Sequence, residues 1–299
     1  MKILMTGGTG FVGRDLARRF MAAGHDVTVL TRGAGGKRAA AGGPRLLQGD
    51  PTREGSWQEA VPTHDVLVNL AGLSIFGRWT PEYKRQLRES RILTTRHLVE
   101  AIAPASRQVL FSTSGVGYYG LRGDEPLDES SPPGDDFLAR LSADWEAEAL
   151  AARTKGTRVV IMRFGIVLGR GGGALQQMVT PFRWFAGGPI GSGSQWFSWI
   201  HMTDLVEAFL HLLDRPELSG PFNLSAPHPE QNRDFSRAVG KALGRPSWLP
   251  APAFMMRLVL GEFGSVILQG QRVLPKRLLD SGFVFRFPRA QEALLDLLR

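Results

Sequence analysis

The sequence predicts an α/β fold, a doubly wound parallel sheet followed by a smaller, mostly helical C-terminal lobe. Two patterns carry the prediction. Between residues 3 and 162, short apolar runs alternate with helix-length stretches, the order expected when parallel strands are joined by helical crossovers. The first run, Ile3 to Met5, leads into Thr6-Gly7-x-x-Gly10-x-x-Gly13 and then into a helical pattern with Leu16, Phe20 and Met21 on its apolar side.

That opening is a strand, a glycine turn and a helix, the context in which spaced glycines bind a dinucleotide. Gly7 permits the tight turn. Gly10 lets a pyrophosphate approach the N–H groups at the helix start, and Gly13 lets the helix pack close. A plain glycine-rich turn is the alternative; the helix after it and a second strand at 27–31 favour the nucleotide reading. Thr9, Phe11 and Val12 complete the candidate cofactor-binding turn.

The chain then continues in order. Helix 10–23 is followed by the strand Val27 to Thr31. In NAD-specific sites an acid at the end of this strand holds the ribose 2′-hydroxyl. Here the strand ends Leu30-Thr31-Arg32. Arg32 offers a guanidinium fork to a 2′-phosphate, which favours NADP(H) over NAD; otherwise it is only the first residue of a basic loop. Residues 33–44, with Lys37 and Arg38, read as a loop able to close over that phosphate. A third strand at 46–48 leads to Asp50, which either faces the adenine edge or caps the next helix.

A fourth strand, 65–70, ends in Ala71-Gly72, small enough for backbone to lie against a cofactor. Thr80-Pro81-Glu82 starts a helix that runs to about 103 and carries Arg88 and Arg91. A fifth strand, Gln108 to Ser112, opens into the polar loop Thr113 to Gly120, at the carboxyl edge where such sheets hold ligands. After an acidic loop at 123–136 come a helix to about 153 and a strand at 158–162.

The later part changes character. Gly169 to Gly173 reads as a turn, and the aromatic, glycine-rich stretch 187–199 as core packing or the wall of a substrate pocket. Thr203 or Asp204 caps a helix at 204–214, and Pro221 to Leu224 returns a strand to the sheet. Helices near 231–243, 251–260 and 263–280 and a strand at Phe283–Phe287 form the smaller lobe. The expected division is 1–225 for the nucleotide-binding domain, with 165–200 contributing to the substrate lobe, and 226–299 for that lobe.

Composition removes several function classes. With no cysteine there are no disulfides, thiolate metal sites or cysteine nucleophiles. The six histidines form no i,i+4 pair, so no metal site is expected. The apolar run 251–263 is broken by Arg257 and Glu262 and is too short to span a bilayer, so no membrane partner is expected. The strand begins at the N-terminus with no leader pattern, and a cytoplasmic location is the expectation. The net charge of +8 is spread along the chain and reads as a basic solvated surface, with no nucleic-acid partner expected.

With these residues in hand, the chain resembles the short-chain dehydrogenase/reductase superfamily, in its extended, sugar-epimerase-like branch. Thr6-Gly7-x-x-Gly10-x-x-Gly13, Asn69-Leu70-Ala71-Gly72, Phe111-Ser112-Thr113-Ser114 and Ile200-His201-Met202-Thr203-Asp204 fit in order. It is more closely similar, over almost its full length, to an atypical epimerase-like family sometimes labelled cell-division-inhibitor homologues. That likeness includes Gly77-Arg78-Trp79-Thr80, Val116-Gly117-Tyr118-Tyr119-Gly120, Asp144-Trp145-Glu146 and Gly270-Gln271-Arg272-Val273-Leu274-Pro275. The resemblance implies a Rossmann sheet and bound NADP(H). It also implies that Thr31 and Arg32 hold the 2′-phosphate, that Leu70 and Ala71 line the cofactor, and that Gln86 and Arg91 reach it from the long helix. Asp50, Gly72 and Ser112 complete the candidate cofactor set.

One departure bears on chemistry. The superfamily's acid–base pair is Tyr-x-x-x-Lys, placed on one helical face so that the lysine charge lowers the tyrosine pKa. The three tyrosines here are 83, 118 and 119, and none is followed by lysine at i+4. Aligned on Glu146, the pair's positions hold Leu138 and Ser142, while Ser114 stands where the catalytic serine would be and Arg91 replaces the usual asparagine. Two readings follow. One is an NADP(H)-dependent oxidoreductase or epimerase acting on an unknown small molecule, with Ser114 and a proton donor among Tyr118, Tyr119 and His201. The other is a non-catalytic NADPH-binding regulatory or scaffold protein. The long helices at 80–103 and 136–153 could pair in a homodimer.

Overall fold

The computed structural model describes residues 1–33 and 42–299. Its centre is a seven-stranded sheet. The strands are β1 (Lys2–Thr6), β2 (Asp26–Thr31), β3 (Arg45–Gln48), β4 (Val66–Asn69), β5 (Val109–Gly115), β6 (Arg158–Phe164) and β7 (Gly220–Leu224). All neighbours are parallel, in the spatial order β3-β2-β1-β4-β5-β6-β7. The order turns back between β1 and β4, the switch point where doubly wound sheets leave a crevice.

Apart from the edge strand β3, the strands are largely buried on both faces, and period-two alternation sorts their side chains. Ile3, Met5, Val27, Val29, Phe111 and Val160 face one core, where they meet Leu16 and Phe20 and also Leu205 and Phe209. Leu4, Leu30, Leu67, Leu110, Val159 and Ile161 face the other, against Trp57, Leu98, Val99 and Ala149. These partners come from α1 (Phe11–Ala22), α2 (Pro81–Glu100), α3 (Phe137–Leu150), α5 (Met202–Leu213) and a 3-10 turn at Ser56–Thr63, while α4 (Gly173–Arg183) packs in a separate cluster through Leu175, Val179 and Phe182. Thr80 caps α2 as its Thr-Pro-Glu start predicts, its Oγ1 accepting from the Tyr83 N–H at 3.1 Å.

Several elements differ from the sequence expectation. Strand β5 runs on through Gly115, so Thr113 and Ser114 belong to the sheet rather than to a loop. Helix α5 is capped by His201, whose Nδ1 accepts from the Thr203 N–H at 3.1 Å, and neither Thr203 nor Asp204 caps it. Asp204 is buried and binds elsewhere. Its two oxygens accept the backbone N–H groups of Arg286 and Phe287 at 2.8 and 2.9 Å. The expected strand at 283–287 therefore does not form: its N–H groups meet a carboxylate, while Phe283 and Phe285 pack into the central core. The stretch 187–199 contains Trp196–Phe197, which pairs antiparallel with Glu230–Gln231, and leads into Trp199–His201, parallel to Ile166–Leu168.

After β7 come α6 (Asn232–Leu243), α7 (Ala253–Leu260), α8 (Glu262–Ile267), α9 (Lys276–Asp280) and α10 (Ala290–Leu298). The single helix expected over 263–280 is two, because Arg272–Val273 between them pairs with Pro126–Leu127. Helix α6 packs with α10 around Phe235, Val239, Ala293 and Leu294. Among the described residues no helix is long and apolar enough to cross a membrane.

Candidate functional site

The glycine turn joins β1 to α1 at the switch point. Gly7 has φ of +68°, and a Cβ there would lie 2.8 Å from Ala71 N. The turn thus rests on the backbone that follows β4, and Leu70 and Ala71 are held against it. A Cβ on Gly13 would sit 2.3 Å from Gly7 O, so this glycine is needed by the turn itself. Gly10 differs. The nearest atom to its Cβ would be Gly7 O at 3.2 Å, and its outer side is open. No side chain caps the start of α1 and its first turn holds no acid, so its unpaired N–H groups face outward beside exposed Thr9 and partly buried Val12. The Phe11 ring packs under the loop after β6, 2.7–2.8 Å from where Cβ atoms on Gly169, Gly172 and Gly173 would be. That explains this second glycine run as space for a ring.

At the ends of β2 and β3, Thr31 Oγ1 accepts from the Gly33 N–H at 3.2 Å, and Arg32 is exposed. Asp50 accepts from both the N–H and the hydroxyl of Thr52, at 3.0 and 2.7 Å. Partial burial raises its pKa, but these bonds and the charges of Arg32 and Arg53 outweigh that and hold the carboxyl below its ordinary value. Lys37 and Arg38, expected to close over a phosphate, lie outside the described residues.

A buried hydrogen-bond chain fixes the end of β4. Thr6 Oγ1 donates to Asn69 Oδ1 at 2.7 Å and accepts from Ala71 N–H, Asn69 donates to Thr95, and Trp145 Nε1 donates to the same hydroxyl. Arg91 lies alongside. Its guanidinium donates to the carbonyls of Leu73 and Leu87, packs over the Trp145 ring and approaches Gly72, 3.3 Å from where a Cβ would be. Burial pulls its pKa down to about 10, and no carboxylate opposes the shift. Gln86 is exposed and donates to Glu82. Ser112 is buried with its hydroxyl unpaired among the described residues.

The candidate chemical groups fall into a different arrangement from the one the sequence suggests. Ser114 Oγ donates to Glu146 Oε1 at 2.7 Å. Glu146 in turn holds Arg163, with Nε to Oε1 at 2.8 Å and Nη2 to Oε2 at 2.7 Å. Arg163 Nη1 donates to Tyr119 Oη at 2.9 Å, and that hydroxyl donates to Asn223 Oδ1 at 2.7 Å. Tyr119 is thus fully buried with its hydroxyl bonded to two partners, and burial raises its pKa despite the opposing charge of Arg163, a placement that does not favour the expected role of proton donor. Tyr118 is the counterpart. Its ring lies 3.5 Å from Arg163 Cζ, it is partly exposed, and its hydroxyl makes no hydrogen bond among the described residues. Arg163 is the member that sequence reading missed. The available signal was a charge inside the apolar run Arg158-Val-Val-Ile-Met-Arg163-Phe.

His201 does not join this group. It is buried, caps α5, stacks on Phe287 with ring centroids 3.9 Å apart, and has Nε2 3.4 Å from Asp296 Oδ2. Burial lowers its pKa to about 4 against the pull of Asp296, and its Nδ1 is taken up by the cap, a placement that does not favour the expected role of proton donor. Leu138, which the resemblance sets at the position of the usual tyrosine, packs against Gly117, where a Cβ would come within 3.2 Å of it. An open hollow of about 570 Å³ between the far ends of α1 and α5, lined by Arg19, His25 and Glu207 among others, contains none of the candidate residues. Glu54, His97 and Glu100 bring their ligand atoms within 4.8 Å of one another, but both glutamates are exposed and nothing else there points to a metal.

Comparison with known proteins gives three results. Residues 3–225 match the family model described as the NAD dependent epimerase/dehydratase family, and residues 251–297 match a domain of unknown function, DUF1731. A chloroplastic epimerase family protein SDR39U1 homolog of Arabidopsis thaliana is 42% identical over 306 residues, covering 100% of this chain and 87% of that protein. An epimerase family protein of Staphylococcus haemolyticus is 39% identical over 300 residues, covering 99% of each. Among solved structures, human epimerase family protein SDR39U1 with NADPH superposes with a TM-score of 0.88 at 37% identity, over 100% of this chain and 99% of that one.

Proposed function

The chain belongs to the NAD-dependent epimerase/dehydratase family, and from that premise we propose that it binds NADP(H) and carries out oxidoreductase or epimerase chemistry on a small molecule, with Tyr118 moving the proton. The residues at the switch point fit a dinucleotide. Gly10 leaves the start of α1 open to a pyrophosphate, and no side-chain cap or acid competes for it. Arg32 stands exposed where an NAD site would carry an acid, which favours the 2′-phosphate form. The partly buried Arg91, with no carboxylate acting on it, offers charge to an anionic group beside Gly72.

When bound, the cofactor supplies hydride transfer to or from a substrate carbon. The protein's own groups do the rest. Ser114 has its proton committed to Glu146, so its oxygen accepts a hydrogen bond, as from a substrate hydroxyl. Arg163 stacks on the Tyr118 ring and fixes its orientation. The observation that carries the reading is the contrast between Tyr118, whose hydroxyl has no partner among the described residues, and Tyr119, whose hydroxyl is bonded to Arg163 and Asn223. The test is a panel of carbonyl compounds with NADPH oxidation as readout. Tyr118→Phe should lower turnover by ~10²–10⁴ while leaving NADPH affinity alone. Unchanged turnover would remove Tyr118 from the chemistry.

A second reading, a non-catalytic NADPH-responsive regulator, is favoured by one observation: Leu138 and Ser142 occupy the acid–base positions, and Leu138 is packed in place. It predicts a partner whose affinity changes with NADPH, and by linkage an equal effect of the partner on NADPH affinity. Partner binding that is the same with and without NADPH would exclude it.

A further inference from the structure

The apolar run too short to span a bilayer forms helices α7 and α8, and α7 has no buried residue. Met256 and Leu260 are among its half-buried nonpolar positions, and Leu260 packs on the Trp79–Phe263 cluster. The outer side carries Phe254, Met255, Leu258 and Val259, whose i, i+1, i+4, i+5 spacing makes one stripe. Phe254 is 69% exposed and Leu258 76%. Water thus meets an apolar face where a surface helix normally shows polar residues.

The stripe continues into its surroundings. The chain just before α7 runs beside the loop after α4: Trp248 Nε1 donates to Phe185 O at 3.0 Å, Leu249 N donates to Gly187 O at 3.1 Å, and Ala251 pairs with Ile190. This adds exposed Trp248 and Leu249 on one strand of the border and Trp184 and Phe185 on the other. Residues 170–203 and 244–261 contain no Asp or Glu. The exposed charge along these two segments is basic, and Glu262, the next residue after them, is paired with Lys84. Arg183, Arg245 and Arg257 are exposed and form no ion pair among the described residues, and Arg245 lies over the Phe185 ring at 4.3 Å.

We propose that this face docks on the surface of an anionic lipid bilayer. The α7 stripe and the two indoles would enter the boundary between headgroups and acyl chains, and the three arginines would meet lipid phosphates. Hydrophobic residues alone would suit any apolar partner. The unpaired arginines of these two segments, whose one neighbouring acid, Glu262, is taken up by Lys84, select a negatively charged one and disfavour a second copy, which would bring like charges together.

Flotation of the whole protein with vesicles tests this, using phosphatidylcholine alone and phosphatidylcholine with phosphatidylglycerol. The protein should float with the anionic vesicles only, less so as salt rises, with tryptophan emission shifted to the blue. Leu258→Asp should reduce partitioning by about tenfold or more, since it puts a charge where a leucine would be buried. Arg257→Glu should reduce it on the order of tenfold. Both positions are exposed, so both variants should melt with the wild type. Failure of the wild type to float, equal flotation on neutral vesicles, or unchanged partitioning of a folded Leu258→Asp protein would overturn the proposal. So would a concentration-dependent dimer, lost in Leu258→Asp, without vesicle binding.

Discussion

Glu146 and Arg163 form a bidentate ion pair inside the protein, Nε to Oε1 at 2.8 Å and Nη2 to Oε2 at 2.7 Å, with side chains 7% and 3% exposed. The pair joins α3 to β6, and through Ser114, Tyr119 and Asn223 it also ties in β5 and β7. Burial alone would lower the arginine pKa, but the bonds to Glu146 and Tyr119 outweigh it and keep the guanidinium charged. Removing one partner leaves an uncompensated buried charge. Arg163→Met should therefore cost ~3–5 kcal/mol in urea unfolding, and the double variant Glu146→Leu/Arg163→Met should recover much of that loss.

The two adjacent tyrosines should separate cleanly. Tyr119→Phe leaves Arg163 and Asn223 short of a partner and should destabilise the protein by ~1–3 kcal/mol. Tyr118→Phe removes a hydroxyl without a partner and should stay within about 0.5 kcal/mol of wild type in the same assay. Only the second is expected to affect turnover.

The glycines of the turn should also separate. Gly13→Ala would place a Cβ 2.3 Å from Gly7 O and 2.6 Å from Gly8 Cα, so the turn must move and both stability and NADPH binding should fall. In Gly10→Ala the nearest contact is 3.2 Å, so the fold should survive while the new methyl group blocks the pyrophosphate. Melting temperature and NADPH titration, measured together, distinguish the two.

Acid should destabilise the fold through His201. Its folded pKa of about 4 lies below the ordinary 6.5, so between these values the unfolded chain takes up the proton first. Stability is fully present above the upper value and falls as pH drops through this window. Burial is the main cause, helped by Arg286 and Arg170 and opposed by Asp296. His201→Asn keeps a capping side chain and removes the titration, so it should flatten stability over this window in urea unfolding followed at several pH values.

The sequence made the sheet legible because its signals are local. Ile3 to Met5 before spaced glycines, Thr80-Pro81 before α2, and the apolar run 65–70 each specify their element without help from distant residues. Phe283 to Phe287 misled because alternating burial is also met by a segment whose N–H groups bind a distant carboxylate, Asp204. Helix 263–280 was overrun because the break at Arg272–Val273 depends on Pro126–Leu127, far away in sequence. In the candidate site, the glycine turn was readable from spacing, but Arg163 was not: a lone arginine in a strand acquires its meaning only from Glu146 on another element.

In the proposed NADP(H) site, Arg32 is the residue that discriminates between the two cofactors. A fluorescence titration of the purified protein with NADPH and NADH, repeated on Arg32→Ala, tests it most directly. The wild type should strongly prefer NADPH, and the variant should lose that preference with NADH affinity little changed. Equal affinity for the two cofactors, or no binding of either, would contradict that role.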